Sequence, residues 1–194
     1  MTLLDERPAT ARRAMIDSQL RVSGVNDPAI LGAFDTVARE DHVPADLAAN
    51  AYIDRALALG DGHSLPAPLV HGRMLIEAAP KPGEAVLVVS TNGYLAALAS
   101  ALGCSVTRVA PADVSARKKG DYSLILIDGA AEVLPASLAG LLADDGRVVT
   151  GVLERGISRL ATGRKAAGTI AVLPLAEIGI PAIPEFAAKP GWSF

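Results

Sequence analysis

Five apolar residues, Ala85-Val86-Leu87-Val88-Val89, run directly into the polar turn Ser90-Thr91-Asn92-Gly93 and then into an alanine-rich stretch from Tyr94 to Leu102. A short, β-branched, uninterrupted apolar run is what a strand buried on both faces requires. The stretch after the turn reads as a helix, with Gly103 at its C′ position. Ser105 to Val109 then reads as a second strand. Strand, helix, strand with a parallel crossover commits a chain to a sheet covered by helices. The alternation continues. Leu124 to Ile127 is another buried strand, ending at Asp128-Gly129, and a helix is expected from Pro135 to Leu142. Asp144-Asp145-Gly146 turns the chain into a strand from Arg147 to Val152. Residues 158–162, 169–173 and 178–183 read as hairpin strands. The expected fold class is therefore α/β, a doubly wound sheet that is mostly parallel with antiparallel C-terminal strands.

The first 80 residues have a different texture, of helices joined by irregular segments. Thr10 is a fitting N-cap for a helix reaching about Leu20. Asp27 can cap a second helix, with Pro28 at its first position and Ile30, Leu31, Phe34 and Val37 on one face. Arg39 to Pro44 closes that helix. A short helix is expected over residues 46–51, and Pro68 opens another that reaches about Ala79. The reading is one domain over 1–194, with a helical region at 1–80 and a Rossmann-like core at 81–194. A chain of 194 residues is long enough for one well-buried domain and short for two.

Composition excludes several classes of function. A net charge of −3 and a pI near 5.6 leave no basic footprint for nucleic acid. Aromatic residues at 4% supply few platforms for stacked bases. The single cysteine, Cys104, excludes an internal disulfide framework and points to a cytoplasmic chain. The mean hydropathy of +0.35 comes from alanine, leucine and valine of the interior. No apolar run approaches the roughly 18–20 residues that cross a bilayer, and Asp5, Glu6 and Arg7 interrupt any leader-like core, so no membrane is expected.

In open α/β sheets, ligands bind beyond the carboxyl ends of the strands. Two such places stand out: the turn carrying Ser90, Asn92, Gly93 and Tyr94, and the strand-end Asp128. Each also has a purely structural reading. Thr91 or Asn92 would cap the following helix, Tyr94 would pack, and Asp128 would cap a turn. His42, His63 and His71 lack metal-ligand spacing, so no metal is expected. His63 and Ser64 are adjacent, which does not make a nucleophile–base pair, and both read as surface or capping residues. Arg12, Arg13, Arg117, Lys118 and Lys119 read as solvated faces. Local chemistry alone names no reaction and no catalytic residue.

Over most of its length the chain resembles the protein-L-isoaspartate O-methyltransferase family. Met15-Ile16-Asp17-Ser18-Gln19-Leu20 with Gly24-Val25-Asn26-Asp27-Pro28 looks like the family's opening helix and turn. Val37-Ala38-Arg39-Glu40-Asp41-His42-Val43-Pro44 looks like its P-R-E-x-F-V-P segment, and Ala51-Tyr52-Ile53-Asp54 with Gly60-Asp61-Gly62 fits the loop that follows. Leu126-Ile127-Asp128-Gly129-Ala130 and Asp145-Gly146-Arg147-Val148-Val149 fit the family's fourth and fifth strands. Ile180-Pro181-Ala182-Ile183-Pro184-Glu185-Phe186 through Pro190-Gly191-Trp192-Ser193-Phe194 looks like the tail of a bacterial branch. The resemblance implies a class I methyltransferase fold, S-adenosylmethionine as methyl donor, and esterification of isoaspartyl carboxylates in damaged proteins. It also implies that Ser90, Asn92, Gly93, Tyr94 and Asp128 stand at the cofactor positions.

At those positions the chain departs from the family pattern. The family's cofactor turn has an acid and three spaced glycines before a tyrosine. Here Val88 takes the acid's place, Ser90 and Asn92 take those of the first two glycines, and the turn is one residue short. The second strand of the family ends in an acid for the ribose, whereas Val109 is followed by Ala110-Pro111, with Asp113 beyond. Only 13 residues, Ala110 to Tyr122, precede Ser123, too few for the family's next helix and strand, so the third strand is expected to be deleted. Pro66 stands where the family's Q-T-I-S-x-P segment has its serine. These departures point to a non-catalytic relative with cofactor binding impaired or lost, acting through a protein partner or self-association at the sheet edge. The alternative is an active S-adenosylmethionine-dependent carboxyl methyltransferase with an aberrant site.

Overall fold

A computed structural model describes residues 3–117 and 119–188. The helical region comes first: α1 (Leu3–Met15), a π-helical turn (Ile16–Leu20), a 3-10 turn (Arg21–Ser23) and α2 (Pro28–Thr36). Thr10 lies inside α1 rather than at its start, because the Ala- and Arg-rich residues around it propagate the helix. Asp27 caps α2 as expected, accepting from the backbone N–H groups of Ala29 (2.8 Å) and Ile30 (3.0 Å). Residues 45–50 form a 3-10 helix. A two-residue hairpin, β1 (Leu57–Ala58) with β2 (Ser64–Leu65), leads to α3 (Pro68–Ala78).

The core alternates as the sequence pattern requires. β3 (Ala85–Val89), α4 (Tyr94–Ala101) and β4 (Ser105–Val109) are followed by β5 (Tyr122–Ala131), α5 (Leu138–Leu141), β6 (Leu142–Glu154), β7 (Ile157–Ala166) and β8 (Thr169–Glu177). The sheet order is β4-β3-β5-β6-β7-β8. The first three pairings are parallel and the last two antiparallel. Among the described residues β4 is the terminal strand, and the connection after it forms a 3-10 turn (Pro111–Ala116) with no strand between β4 and β5, as the short spacing requires.

Alternation on the strands divides the core. Val86, Val88, Leu124, Leu126 and Val149 face one side, where α2, α3 and α4 cover them. Leu87, Val89, Ile125, Ile127 and Val148 face the other, where they meet Val114, Leu138, Leu141 and Phe186 from short segments. The shortened connection after β4 accounts for this thinner second layer.

Three expectations are corrected. The helix expected over 135–142 shrinks to α5, because Leu142 already pairs with Tyr122 as strand. β5 does not stop at Ile127: Gly129 adopts φ +155° and the strand resumes pairing at Ala130. Residues 178–183 do not form a strand. They make an isolated bridge at Ala130 and Ala182, with Pro181 O accepting from Ala130 N and Ile183 N donating to Ala130 O, both at 2.8 Å. A side chain at Gly129 would meet Ile183 Cγ1 at 2.5 Å, so glycine is what lets this segment cross the strand end. The resemblance over residues 189–194, and Lys118, lie outside the described residues.

Candidate functional site

At the carboxyl ends of β3 and β5 the sequence brings a polar cluster into the interior. Asp128 lies on β5, and its carboxylate side chain is fully buried. Its Oδ2 accepts from Ser90 Oγ at 2.7 Å and from Asn92 Nδ2 at 3.3 Å. Its Oδ1 lies 2.7 Å from His71 Nε2, which α3 presents from the far side. Ser90 Oγ in turn accepts from Gly93 N (3.2 Å), and Asn92 Oδ1 accepts from Tyr94 N (2.8 Å). The turn is thus tied to its own helix and to the neighbouring strand at once. The N-cap of α4 is Gly93 rather than Asn92 or Thr91, because the chain enters the helix through a left-handed residue; Asn92, one residue earlier, closes an Asx-type turn onto Tyr94 N, and Asp128 is not a turn cap but the hub.

Behind His71 stands Arg39, fully buried. Its Nε donates to Ala51 O (2.6 Å), one terminal nitrogen donates to Pro66 O (2.5 Å), and the other lies 3.3 Å from His71 Nδ1. The guanidinium carbon lies 4.9 Å from the centroid of the Tyr94 ring, a cation–π contact. Tyr94 is itself fully buried, with edge-on contacts to Phe34, His42 and His71. Its hydroxyl has no hydrogen-bond partner among the described residues. Burial pushes the Tyr94 phenol well up, against the pull of Arg39.

This geometry fixes a protonation pattern. A guanidinium only donates, so His71 Nδ1 must accept and carry the lone pair. The ring proton is then on Nε2 and is donated to Asp128. His71 is therefore a neutral bridge between the cation Arg39 and the anion Asp128. Burial holds the His71 imidazole below its ordinary value, with Arg39 and His42 acting in the same direction. Burial by itself would raise the Asp128 carboxyl; interactions with His71, Ser90 and Asn92 outweigh it and hold the group below the usual carboxylate range. Burial lowers the Arg39 guanidinium, opposed by Tyr94 and Asp128, yet an arginine stays charged.

A pH dependence follows. Below the ordinary histidine range the unfolded chain takes up a proton at this imidazole that the native chain excludes. Stability is therefore full above about pH 6.5 and falls on acidification, with a slope of at most about 1.4 kcal/mol per pH unit. Partly buried His63, which burial alone would lower but Glu185 and Asp61 raise, has the opposite sign. Denaturant midpoints between about pH 7 and pH 5 check the slope. His71→Gln, whose amide can accept from Arg39 and donate to Asp128, is expected to flatten it.

The trio Ser90, Asp128 and His71 has the residue types of a nucleophilic triad but not its order. The carboxylate sits in the middle: Ser90 donates its proton to Asp128 itself, and His71 bonds the other carboxylate oxygen rather than the serine. Among the described residues, no group of three or more His, Cys, Asp or Glu side chains could hold a metal ion.

A second polar layer ties the helical region down. Tyr52 OH accepts from Arg12 Nε (2.8 Å) and Arg39 N (3.3 Å) and donates to Glu40. Burial and Glu40 push the Tyr52 phenol up to about 12. Arg12 also donates to Asp35 O at 2.8 Å, so it is a structural tie rather than a solvated charge.

The structure thus brings Ser90, Asn92, Gly93, Tyr94 and Asp128 together, and adds Arg39 and His71. Arg39 is visible in the sequence only as a member of the family-like segment 37–44, and His71 only as a histidine on the expected helix from Pro68. Ser64 lies in β2 and takes no part in the cluster.

A parallel sheet with helices packed on its face, turned through β3 and finished by an antiparallel hairpin, defines a class I methyltransferase-like fold. Residues 10–117 match the family model for protein-L-isoaspartate(D-aspartate) O-methyltransferase. A protein-L-isoaspartate O-methyltransferase of Methylorubrum populi is 33% identical over 165 residues, covering 72% of this chain and 78% of the relative. That of Methanospirillum hungatei is 31% identical over 182 residues, covering 80% and 84%. The chain belongs to the protein-L-isoaspartate O-methyltransferase family. Among solved structures, a Plasmodium falciparum protein-L-isoaspartate O-methyltransferase in complex with S-adenosyl-L-homocysteine superposes with a TM-score of 0.69 at 17% identity, over 92% of this chain and 98% of that one.

Proposed function

We propose that this chain is a non-catalytic member of its family, in which the place of the cofactor is closed by the chain's own side chains. The observation that carries the reading is the saturation of Asp128. Its buried carboxylate accepts from His71, Ser90 and Asn92, and the hydroxyl and amide that do so stand where the family has glycines. A ligand seated against that backbone would have to displace Ser90, which is only 1% exposed, and break its bond to a buried anion. Three further features support the reading. Val88, at the place of the family's acid, is packed in the apolar core. Among the described residues no strand stands beyond β4 to wall the far side of the cofactor. Pro66, at the place of the family's serine, contributes only its carbonyl, which Arg39 engages. The residues present do not fit S-adenosylmethionine, and no methyl-transfer step is assigned to them.

The test is transfer of labelled methyl groups from S-adenosylmethionine to an isoaspartyl peptide. The reading expects no product above the rate without protein. Multiple turnovers that vanish in Asp128→Asn would return the chain to the active class.

A further inference from the structure

The two edges of the sheet are built differently. β8, at one edge, carries Pro174 and a register shift, with Leu175 standing unpaired between Pro174 and Ala176. Proline and bulges blunt an edge against further strands. β4, at the other edge, has neither, and pairs with β3 in unbroken register from Ser105 to Val109. Its one charged side chain, Arg108, is bent back toward its own chain, where a terminal guanidinium nitrogen donates to Thr91 O at 2.8 Å. Among the described residues nothing pairs with the outer side of β4.

The phase of the ladder shows what that outer side offers. Ser105 N donates to Glu84 O (2.8 Å), and Val109 O accepts from Ser90 N (3.0 Å). Alternate residues of a strand turn their backbone groups to opposite sides. Ser105, Thr107 and Val109 therefore bond β3, while Cys104, Val106, Arg108 and Ala110 point outward. Two of the outward groups are already taken: Cys104 N donates to Ala99 O (3.2 Å), and Ala110 O accepts from Asp113 N (3.0 Å). What remains is N–H at Val106, Arg108 and Ala110, and C=O at Cys104, Val106 and Arg108.

We propose that the chain pairs with a second copy of itself along β4, antiparallel, with the two-fold axis at Thr107. In that register Val106 faces Arg108 of the second copy, and the two exchange both backbone bonds. Cys104, left with an acceptor alone, faces Ala110 of the second copy, left with a donor alone. Every free group of both edges then has a partner. A slip of two residues one way strands the Arg108 C=O, because it meets the occupied Cys104 N. A slip the other way strands the Val106 N–H, because it meets the occupied Ala110 O. The free groups are thus matched to this same strand, turned round, in one register. The Thr107 residues face each other as a non-hydrogen-bonded pair, with Cα atoms about 4.5 Å apart, so their hydroxyls can meet. The pairing uses the sheet edge and not the closed turn, so it goes beyond the non-catalytic reading and does not depend on it.

The test is sedimentation equilibrium of the full chain between about 5 and 500 µM. The mass is expected to rise from 19.9 kDa to about twice that, with a dissociation constant on the order of 10–100 µM, as suits a short interface. Thr107→Glu and Thr107→Lys each set like charges across the axis, and each alone is expected to weaken the dimer by at least about tenfold. An equimolar mixture of the two is expected to restore a dimer about as tight as the native one, which also shows that both variants fold. Val106→Pro removes an outward N–H and no bond to β3, and is expected to weaken the dimer by about tenfold or more. A native chain that stays at 19.9 kDa throughout overturns the proposal and leaves the edge to a strand of another protein. A dimer that persists in both charged variants overturns it as well, and assigns the contact to another surface, such as exposed Leu173 and Leu175 on β8. So does a mixture that stays monomeric although both variants melt cooperatively. None of these readouts involves S-adenosylmethionine, so they stand apart from the test of methyl transfer.

Discussion

Asp128→Ala is expected to destabilise the chain by about 3–5 kcal/mol, which would consume much of the stability of an ordinary domain. The loss does not come mainly from the bonds that disappear. It comes from what stays behind. Arg39 remains charged and fully buried, with its neutral bridge His71 now donating to nothing. Ser90 and Asn92 lose an acceptor in the same step. Removing one member of a buried charge pair costs far more than the pair contributes when intact, because the partner's desolvation is then uncompensated. Asp128→Asn keeps an acceptor for one donor and is expected to lie between the two. Urea unfolding, followed by far-UV dichroism, checks both. A loss below about 1 kcal/mol for the alanine variant would mean that Arg39 draws its compensation from elsewhere.

Arg39→Met is expected to cost a similar amount for the mirror-image reason. Asp128 keeps its three donors but loses the fully buried cation behind His71, and the carbonyls of Ala51 and Pro66 lose their donor. Arg39→Lys would not restore the site, since a point charge cannot serve three acceptors arranged for a planar fork. The decisive quantity is the combination. Arg39→Met with Asp128→Ala is expected to cost less than the sum of the two single changes by about 1–3 kcal/mol, because neither buried charge is then left alone. Additive losses would show that the bridge through His71 carries no coupling.

Much of this fold is legible in the chain, and the reason is physical. β3, α4 and β4 are specified by local patterns: a β-branched apolar run, an alanine-rich stretch and a glycine at its end. The deletion beyond β4 is legible by arithmetic, since the residues between Val109 and Ser123 cannot hold both a helix and a strand. The lengths of β5 and α5 are not, because they depend on pairing with β6 and on the segment crossing Gly129. At the site, Ser90, Asn92 and Asp128 are visible as polar residues at strand ends. Arg39 and His71 are not, because their partners lie 57 residues away for the His71–Asp128 contact and 32 for Arg39–His71. No local spacing records such contacts. A buried arginine read from sequence alone is indistinguishable from one that closes a helix on the surface.

The most direct measurement is calorimetric titration of S-adenosylmethionine and S-adenosylhomocysteine into the native chain, beside the His71→Gln variant. A turn closed by its own side chains predicts no heat of binding at millimolar ligand for either protein. Binding near micromolar strength would contradict it, because it would show that Ser90, Asn92 and Asp128 yield their mutual bonds to the ligand.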